Sequence, residues 1–461
     1  MRIEKDFLGE MQISSDIYYG IQTMRSLENF PISGRSIESY PYLIKSMAYI
    51  KKAAALSNHR VEALDCHIKA AIVEAADEIL AGKFENQFPV DIYQGGGGLS
   101  TNMNINEVIA NRANEIITGE KGFTCVHPHE HVNMSQSTND VLPSAMKMAC
   151  YLYMEDLIKH LEQLEKALES KVNEFQSSIK LSRTCLQDAL PMTFGQQFNA
   201  YLSFVTRQKK ELQKVQQDCL KLLIGATAVG TSLGVAKGYI EAMYQYLPKV
   251  SGMPVTKIED YFDGLQHADS YIKISGCLKG LCSGLSKMAG DFRLLASGPR
   301  AGLAEITIPS VQPGSSIMPG KINPCIPEMM MQVCFDIYGM DQTITIAVDR
   351  GELELNIWES IIMKNLFDAF SILIASIPVF NHKCVQGIQI NEAMNQMHAE
   401  SSYSISVVIS KLFGYEMANK VVAEAFKTDA TIKEIVIKNG LLSKEDAEGL
   451  LNPMNLVHVD V

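Results

Sequence analysis

The chain has 461 residues, of which 47% are hydrophobic, and a formal net charge of −11 from 41 basic and 52 acidic side chains. This length predicts several domains around a large buried core, and the acidic balance without a basic stripe argues against a nucleic-acid partner. An acidic substrate would need local positive charge, so individual lysines and arginines are of interest.

The N-terminal segment, the length of the apolar runs and the cysteine pattern indicate the expected compartment. Residues 1–11 are charged and lack the apolar segment of a signal peptide. No apolar run approaches the ~18 residues that suggest a membrane span. The ten cysteines are scattered without a CxxC pair, a pattern typical of reduced thiols. We therefore expect a cytoplasmic protein with no membrane partner.

Helical periodicity dominates the chain after a mixed beginning. Residues 1–140 contain shorter helical segments and several breaks, including the glycine run at 95–98. From Leu157 to Ile179 the apolar residues recur every three or four positions, which predicts one continuous amphipathic helix. Similar stripes cover about 192–222, 266–296, 327–347 and 359–379.

These patterns predict a mainly all-α protein in three parts. Residues 1–140 form a mixed, mostly helical domain, residues 141–385 a central bundle of long helices, and residues 386–461 a small helical domain. Strand-like alternation is scarce. Apolar stripes on more than one helix face favour subunit partners, because such surface must be covered.

Four polar stretches interrupt the helices, at 95–107, 131–140, 182–191 and 313–324. They are rich in serine, threonine and asparagine, which hydrogen-bond to carboxylate oxygens without adding fixed charge. Lys321 adds an ammonium group, a good partner for a carboxylate. Any one stretch alone is more typical of helix caps and turns. Together they favour a site for a small anion.

Other interpretations of these stretches have less support. No GK[ST] follows the glycine run, which argues against a P-loop. The HPHEH segment at 127–131 lacks a further ligand at a suitable spacing, so surface histidines are favoured over a metal site. Ser315 has no histidine near it in the sequence and does not lie in a GxSxG motif. We therefore predict neither a metal nor a cofactor.

Ordered motifs along nearly the whole chain resemble the aspartase/fumarase superfamily. The segment GSSIMPGKINP at 314–324 matches the superfamily signature GSSxMPxKxNP at every fixed position. HVNMSQSTND at 131–140, GATAVGT at 225–231 and SGPRAGLAEI at 297–306 match in order. The resemblance is greatest to aspartases, with class II fumarases second. It implies a homotetramer with a 20-helix core, in which each active site is formed by three subunits.

The resemblance also implies a reaction and a set of residues. L-aspartate, a small dicarboxylate, would lose ammonia to give fumarate by anti β-elimination through an aci-carboxylate intermediate. Ser315 would be the base, as an alkoxide on a mobile loop, with Lys321 and loop amides favouring its ionised form. The resemblance implies that the carboxylate next to the abstracted proton is held by Ser137, Thr138 and Ser316. The other carboxylate would be held by Thr184, Lys321 and Asn323, and Asn139 would face the leaving group.

Three positions depart from the superfamily pattern. Leu99 replaces a threonine in GxGTSTNMN, Cys185 replaces a histidine or glutamine, and Gln197 replaces a glutamate. Leu99 and Cys185 belong to the possible leaving-group pocket, and an amino group buried there without a partner costs about 1–3 kcal/mol. The leaving group could therefore be a substituted amine or a thiol in place of ammonia. The protein could also be a class II fumarase, or a non-catalytic relative such as a lens protein. The intact Ser315 and Lys321 argue against the last.

Overall fold

The computed structural model describes residues 1–457, and these are mainly helical, as predicted. In chain order the α-helices are α1 (Ile21–Asn29), α2 (Pro41–Arg60), α3 (Cys66–Leu80), α4 (Leu99–Thr118), α5 (Thr138–Glu174), α6 (Phe194–Asp218), α7 (Tyr239–Ser251), α8 (Tyr261–Gln266), α9 (Asp269–Leu295), α10 (Cys325–Asp349), α11 (Glu359–Lys383), α12 (Glu392–Ser401), α13 (Ser406–Phe413), α14 (Tyr415–Thr428), α15 (Ile432–Lys438) and α16 (Lys444–Leu450). A short π-helix covers Pro128–Val132.

The strands are short and pair two by two. They are β1 (Arg2–Asp6), β2 (Gly9–Ile13), β3 (Ile179–Thr184), β4 (Gln187–Thr193), β5 (Lys221–Leu222), β6 (Thr256–Lys257), β7 (Ile306–Thr307) and β8 (Gln389–Ile390). The pairs β1–β2, β3–β4 and β7–β8 are antiparallel, whereas β5 and β6 are parallel. Such small sheets connect helices and do not form a layer of their own.

Side-chain caps explain where several helices begin. The carboxylate of Asp65 accepts hydrogen bonds from the backbone N–H groups of His67 and Ile68 at the start of α3. At the start of α15, Thr431 and Glu434 form a reciprocal capping box. Each cap satisfies backbone donors that the first helical turn leaves without a partner.

The predicted helices at 192–222, 266–296, 327–347 and 359–379 correspond to α6, α9, α10 and α11. The predicted continuous helix from Leu157 to Ile179 is wrong at its end, because α5 stops at Glu174. The backbone N–H of Ser178 turns back to the carbonyl of Phe175 at 3.1 Å, and Ile179 begins β3. Ile179 is buried as the first residue of this strand, so its place in the apolar stripe indicated burial and not helical structure.

The described chain divides into two compact units, each built from three separate segments. Unit 1 comprises residues 1–158, 210–280 and 336–373, and unit 2 comprises residues 159–209, 281–335 and 374 onward. The boundaries fall inside α5, α6, α9, α10 and α11. This division differs from the three consecutive parts predicted from the sequence, whose limits near 140 and 385 stay a prediction.

The core of unit 1 contains an aromatic cluster. The rings of Tyr40 and Phe367 meet edge to face with centroids 5.3 Å apart, and Tyr153 stacks on Phe370 at 5.6 Å. In the same unit α2 packs against α3, α4 and α7. Aromatic pairs of this geometry add to the stabilisation from burial alone. Through Tyr153 they hold α5, the helix that begins at Thr138.

Unit 2 has a second aromatic cluster and a smaller C-terminal core. Phe198 stacks on Phe292 at 5.8 Å, and Phe292 stacks on Phe380 at 6.1 Å. The helices α13 to α16 enclose a separate cluster of buried apolar residues that includes Ile409 and Ile435. The short helices predicted after residue 386 are therefore present.

One described helix is long and apolar enough to cross a membrane by length and composition, at Glu359–Gly387. In its most apolar window, 67% of the residues are buried inside the protein. The core helix of a soluble protein has the same character, so this segment is weak evidence for a span.

Candidate active site

The segment that carries Ser137, Thr138 and Asn139 is fixed by the carboxylate of Asp140. Oδ1 of Asp140 accepts a hydrogen bond from the backbone N–H of Ser137 at 3.0 Å. Oδ2 accepts from the backbone N–H groups of Gly225 at 3.1 Å and Thr227 at 3.0 Å. The buried carboxylate thereby joins the start of α5 to the GATAVGT loop, two of the motifs that lie far apart in the sequence.

A buried lysine organises the polar groups behind Thr138. The ammonium group of Lys51, in α2, donates to Oδ1 of Asn102 at 2.9 Å, to Oδ1 of Asn133 at 3.1 Å and to Oε1 of Gln136 at 3.0 Å. The amide of Asn102 in turn donates to the hydroxyl of Thr138 at 3.0 Å. We call these five residues the Lys51 network. It orients the threonine hydroxyl from behind.

Burial shifts the ionisation of the two charged groups in this region. It lowers the pKa of Lys51 to about 7 and raises that of Asp140 to about 6, although their mutual attraction opposes both shifts. Desolvation disfavours a charge of either sign, which explains the opposite directions. Such perturbed groups cluster at functional sites. Sequence analysis missed both residues.

The glycine run packs tightly on the start of α5. Gly96, Gly97 and Gly98 have φ angles of 81°, 59° and 74°, a left-handed conformation that favours glycine. A Cβ atom on Gly98 would lie 1.9 Å from Cδ2 of Leu142, so a side chain there would displace the end of Leu142 as well as strain the backbone. Leu99 follows as the first residue of α4, and it is 47% exposed. The loop thus presents an apolar side chain where the superfamily pattern has a hydroxyl.

In unit 2, Thr184 and Cys185 lie at the tip of a β-hairpin that the sequence did not predict. The strands β3 and β4 are joined by a two-residue turn at Cys185 and Leu186, with φ angles of 54° and 60°. Two-residue turns of this kind strongly prefer Asn-Gly, because both positions are left-handed. The segment offered no such signal. Both turn residues are exposed, so contacts of their side chains do not offset the strain.

Replacing Leu186 with glycine should raise the free energy of unfolding by about 0.5–1 kcal/mol, because glycine adopts the left-handed conformation without the Cβ penalty. Urea denaturation of the native protein and the variant measures this difference. Ile3→Gly is the matched control, since Ile3 is an exposed residue inside β1 and glycine should destabilise it there. A loss of stability in Leu186→Gly would contradict the interpretation.

The GSSIMPGKINP segment forms a closed loop before α10. The backbone N–H of Gly314 donates to the carbonyl of Lys321 at 2.8 Å, and the amide of Asn323 donates to the carbonyl of Gly314 at 2.9 Å. A Cβ atom on Gly314 would lie 2.7 Å from backbone atoms of both Lys321 and Asn323. Only glycine permits this closure. Beyond the closure the loop is open to solvent, with Ile317 at its tip 83% exposed.

The hydroxyl of Ser315 is held inside this loop. Its Oγ accepts hydrogen bonds from the backbone N–H of Met318 at 2.9 Å and of Ile317 at 3.2 Å. Two amide dipoles therefore point at one oxygen, an arrangement that favours negative charge on it. Ser315, Met318 and Lys321 also line a pocket of about 430 Å³.

The predicted site residues thus fall into two groups. Leu99, Ser137, Thr138 and Asn139 belong to unit 1, and Thr184, Cys185, Ser315, Ser316, Lys321 and Asn323 belong to unit 2. In unit 1, Asn102 of the 95–107 stretch donates to Thr138 of the 131–140 stretch. In unit 2, the hairpin and the 313–324 loop are each held by hydrogen bonds of their own. That both groups form one site shared by three subunits stays a prediction.

The histidine-rich segment uses its ring nitrogens within the fold. Nδ1 of His127 accepts from the backbone N–H groups of His129 and Glu130 at 3.3 Å, and Nδ1 of His131 accepts from the backbone N–H of His127 at 2.8 Å. Across residues 1–457, no group of three or more His, Cys, Asp or Glu side chains is arranged to hold a metal ion. His127 therefore caps the start of the π-helix, and His131 accepts from the backbone of that cap.

Comparison with known proteins defines the class to which this fold and these motifs belong. A family model described as "Lyase" matches residues 9–339, and a model described as "Fumarase C C-terminus" matches residues 408–458. The chain belongs to this lyase family. The resemblance to the aspartase/fumarase superfamily, predicted from the motifs, is confirmed.

Particular relatives match over almost the full length. Proteins named aspartate ammonia-lyase from Bacillus sp and from Escherichia coli (strain K12) are 45% and 38% identical, over 99% of this chain and 98% and 96% of theirs. A fumarate lyase:delta crystallin from Brucella melitensis has a TM-score of 0.97 at 39% identity, covering 99% of this chain and 100% of that chain. A class II fumarase from Schistosoma mansoni has a TM-score of 0.95 at 34% identity, covering 99% and 98%.

Proposed function

We propose that the protein is a carbon–nitrogen lyase that removes ammonia from L-aspartate to give fumarate. The observation that carries the proposal is the full-length similarity to proteins named aspartate ammonia-lyase, together with the intact loop around Ser315. The test follows the ultraviolet absorbance of fumarate. Absorbance should rise with L-aspartate and fall when fumarate is mixed with ammonia. No change in either direction would exclude the proposal.

The chemistry requires stabilisation of a charge that exists only after deprotonation. Removing the proton next to a carboxylate creates an aci-carboxylate with two negative charges. Each preorganised hydrogen-bond donor at such a charge contributes roughly 3–4 kcal/mol to catalysis. A positioned general base adds on the order of 10²–10⁴-fold in rate. Donors from hydroxyl, amide and ammonium groups therefore suit the reaction.

Ser315 is the proposed base. A serine hydroxyl is ordinarily far too weak an acid to serve as an alkoxide, but its Oγ already accepts two backbone hydrogen bonds in the loop. The ammonium group of Lys321, on the same loop, adds a positive charge that favours the alkoxide. Gly320, with a φ of 81°, gives the loop a point of flexibility. Closure of the exposed tip over the substrate would exclude water.

The remaining polar residues divide between the two carboxylates and the leaving group. Ser137, Thr138 and Ser316 hold the carboxylate next to the abstracted proton, and Thr184, Lys321 and Asn323 hold the other. Asn139 faces the leaving ammonium group. Its amide nitrogen already donates to the carbonyl of Ala228 at 2.7 Å, so Oδ1 is the atom suited to accept from the ammonium.

A second candidate is a fumarate-forming lyase with another leaving group, a substituted amine or a thiol, and Leu99 favours it. Its exposed apolar side chain at the start of α4 cannot hydrogen-bond to an ammonium group. A substituent on the nitrogen or sulfur would instead pack against it. A class II fumarase, with water as the product, gains less from an apolar residue here.

Replacing Leu99 with threonine distinguishes the two candidates. If ammonia is the leaving group, the new hydroxyl should raise kcat/KM on L-aspartate by roughly five- to ten-fold, equivalent to about 1–1.4 kcal/mol. Leu99→Val is the control, because it shortens the side chain without adding a donor or acceptor. Unchanged or lower activity on L-aspartate in Leu99→Thr would favour the substituted leaving group.

We further propose that the protein acts in the cytoplasm as a homotetramer with a 20-helix core, in which three subunits contribute to each active site. The family resemblance supports this assembly, and several helical residues remain exposed although apolar, among them Phe335 and Ile346 of α10. Light scattering of the purified protein measures the assembly directly. A monomer that retains full turnover would exclude a shared site.

A further inference from the structure

Glu305 is a fully buried carboxylate beside the hairpin that carries Thr184. Its Oε1 lies 2.6 Å from the guanidinium of Arg183 and 3.1 Å from Nδ1 of His398. Its side chain is 0% exposed, and among residues 1–457 its Oε2 has no hydrogen-bond partner. A carboxylate is kept in such a place only when it is paired, so the contact with Arg183 is the main compensation for its burial.

The backbone of Glu305 is held from two directions. Its N–H donates to the carbonyl of Leu295, at the end of α9, at 2.9 Å. Its carbonyl accepts from the backbone N–H of Asn391 at 3.0 Å and from the amide of Asn395, in α12, at 2.8 Å. The backbone that carries this carboxylate is therefore fixed within unit 2 by elements outside the hairpin.

Arg183 immediately precedes Thr184 in β3. Successive side chains of a strand point to opposite faces, so an arginine directed to the buried carboxylate places Thr184 on the other, exposed face. The ladder shifts register between Leu181 and Arg183, and beyond the shift only two residue pairs, Arg183 with Asp188 and Thr184 with Gln187, hold the tip. The tip also contains the strained turn. The ion pair between Arg183 and Glu305 is thus a restraint on the tip in addition to these two pairs.

We propose that Glu305 is a positioning residue for the substrate carboxylate: it holds Arg183 so that the hydroxyl of Thr184 stays in the binding orientation. This inference rests on the proposed function, in which Thr184 holds the second carboxylate. His398, in α12, contacts the same oxygen of Glu305 and joins the C-terminal part of the chain to this anchor.

The test compares steady-state kinetics of Glu305→Gln with those of the native enzyme. Glutamine keeps the shape but removes the charge that holds Arg183, so KM for L-aspartate should rise about ten-fold while kcat stays within about three-fold. The same substitution in a Thr184→Ala background should change KM by less than about two-fold, because the residue it acts through is gone. Equal effects in the two backgrounds would overturn the proposal.

Glu392→Gln is the matched control. Glu392, at the start of α12, accepts a hydrogen bond from the hydroxyl of Ser178 at 2.6 Å and so anchors the base of the same hairpin. Its removal should leave KM within about two-fold. If Glu305→Gln does not fold, the double variant Glu305→Gln/Arg183→Gln removes both charges together and should show the same rise in KM; a native KM in that variant would overturn the proposal.

Amide hydrogen exchange separates failure of this inference from failure of the proposed function. If the native protein does not turn over L-aspartate, the proposed function has failed, and exchange at residues 183–188 still tests the anchor without a substrate. Exchange there should be at least about ten-fold faster in Glu305→Gln and unchanged in Glu392→Gln. Equal protection in the native protein and Glu305→Gln would overturn the anchor itself.

Discussion

Replacing Ser315 with alanine should lower kcat on L-aspartate by at least about 10³-fold while the dissociation constant for the substrate changes less than about three-fold. The substitution removes the oxygen that accepts the backbone N–H groups of Ile317 and Met318 and that is proposed to take the proton. The other groups proposed to hold the carboxylates remain. Initial rates followed by the absorbance of fumarate give kcat, and calorimetric titration with L-aspartate gives the dissociation constant.

Ser310→Ala is the control for this experiment. Ser310 is an exposed serine shortly before the same loop, and it has no proposed contact with the substrate. It should retain native kinetics. Two results would count against a serine base: kcat within ten-fold of native in Ser315→Ala, or a loss of activity explained entirely by weaker binding.

Replacing Lys51 with methionine should lower the free energy of unfolding by about 3–5 kcal/mol and also reduce activity. The substitution removes three hydrogen bonds to buried or partly buried amide oxygens and leaves Asp140 without its nearby cation. Asn102 loses one of its fixed partners, and its hydrogen bond to Thr138 loosens. Urea denaturation measures the stability, and kcat/KM measures the effect on the site.

Lys52→Met provides a control one residue away in α2. Lys52 pairs at 2.6 Å with Asp77, whose side chain is 49% exposed, and a pair so open to solvent contributes only about 0–1 kcal/mol. The variant should therefore differ from the native protein by less than about 1 kcal/mol. Equal losses in the two variants would show that the Lys51 network adds nothing beyond ordinary packing.

The sequence was sufficient to predict the helical class, the four long helices after residue 192 and the irregular structure of the loop at 313–324. Each of these follows from local information: a stripe of apolar residues, or prolines and glycines that exclude regular structure. The acceptance of two backbone hydrogen bonds by Ser315 is also local, since its partners are two and three residues away.

What the sequence did not predict depends on contacts between distant segments. Glu305 and Arg183 are more than one hundred positions apart, and nothing in either neighbourhood indicates a pair. The hairpin tip has cysteine and leucine in a turn that normally needs asparagine and glycine, so its turn signal is absent. For Lys51 the sequence did contain a signal. Lys51 lies with Met47 and Ala54 in the buried stripe of α2, where a lysine is unusual.

The discontinuity of the two units has a consequence for biosynthesis. Unit 1 draws its last segment from residues 336–373, and unit 2 needs residues from 374 onward. Neither can make its full set of contacts until most of the chain has left the ribosome. Tyr153 of α5, for example, must wait with its apolar surface uncovered for Phe370 of α11, which is synthesised much later. We expect a nascent chain halted before residue 336 to bind chaperones and to be degraded readily.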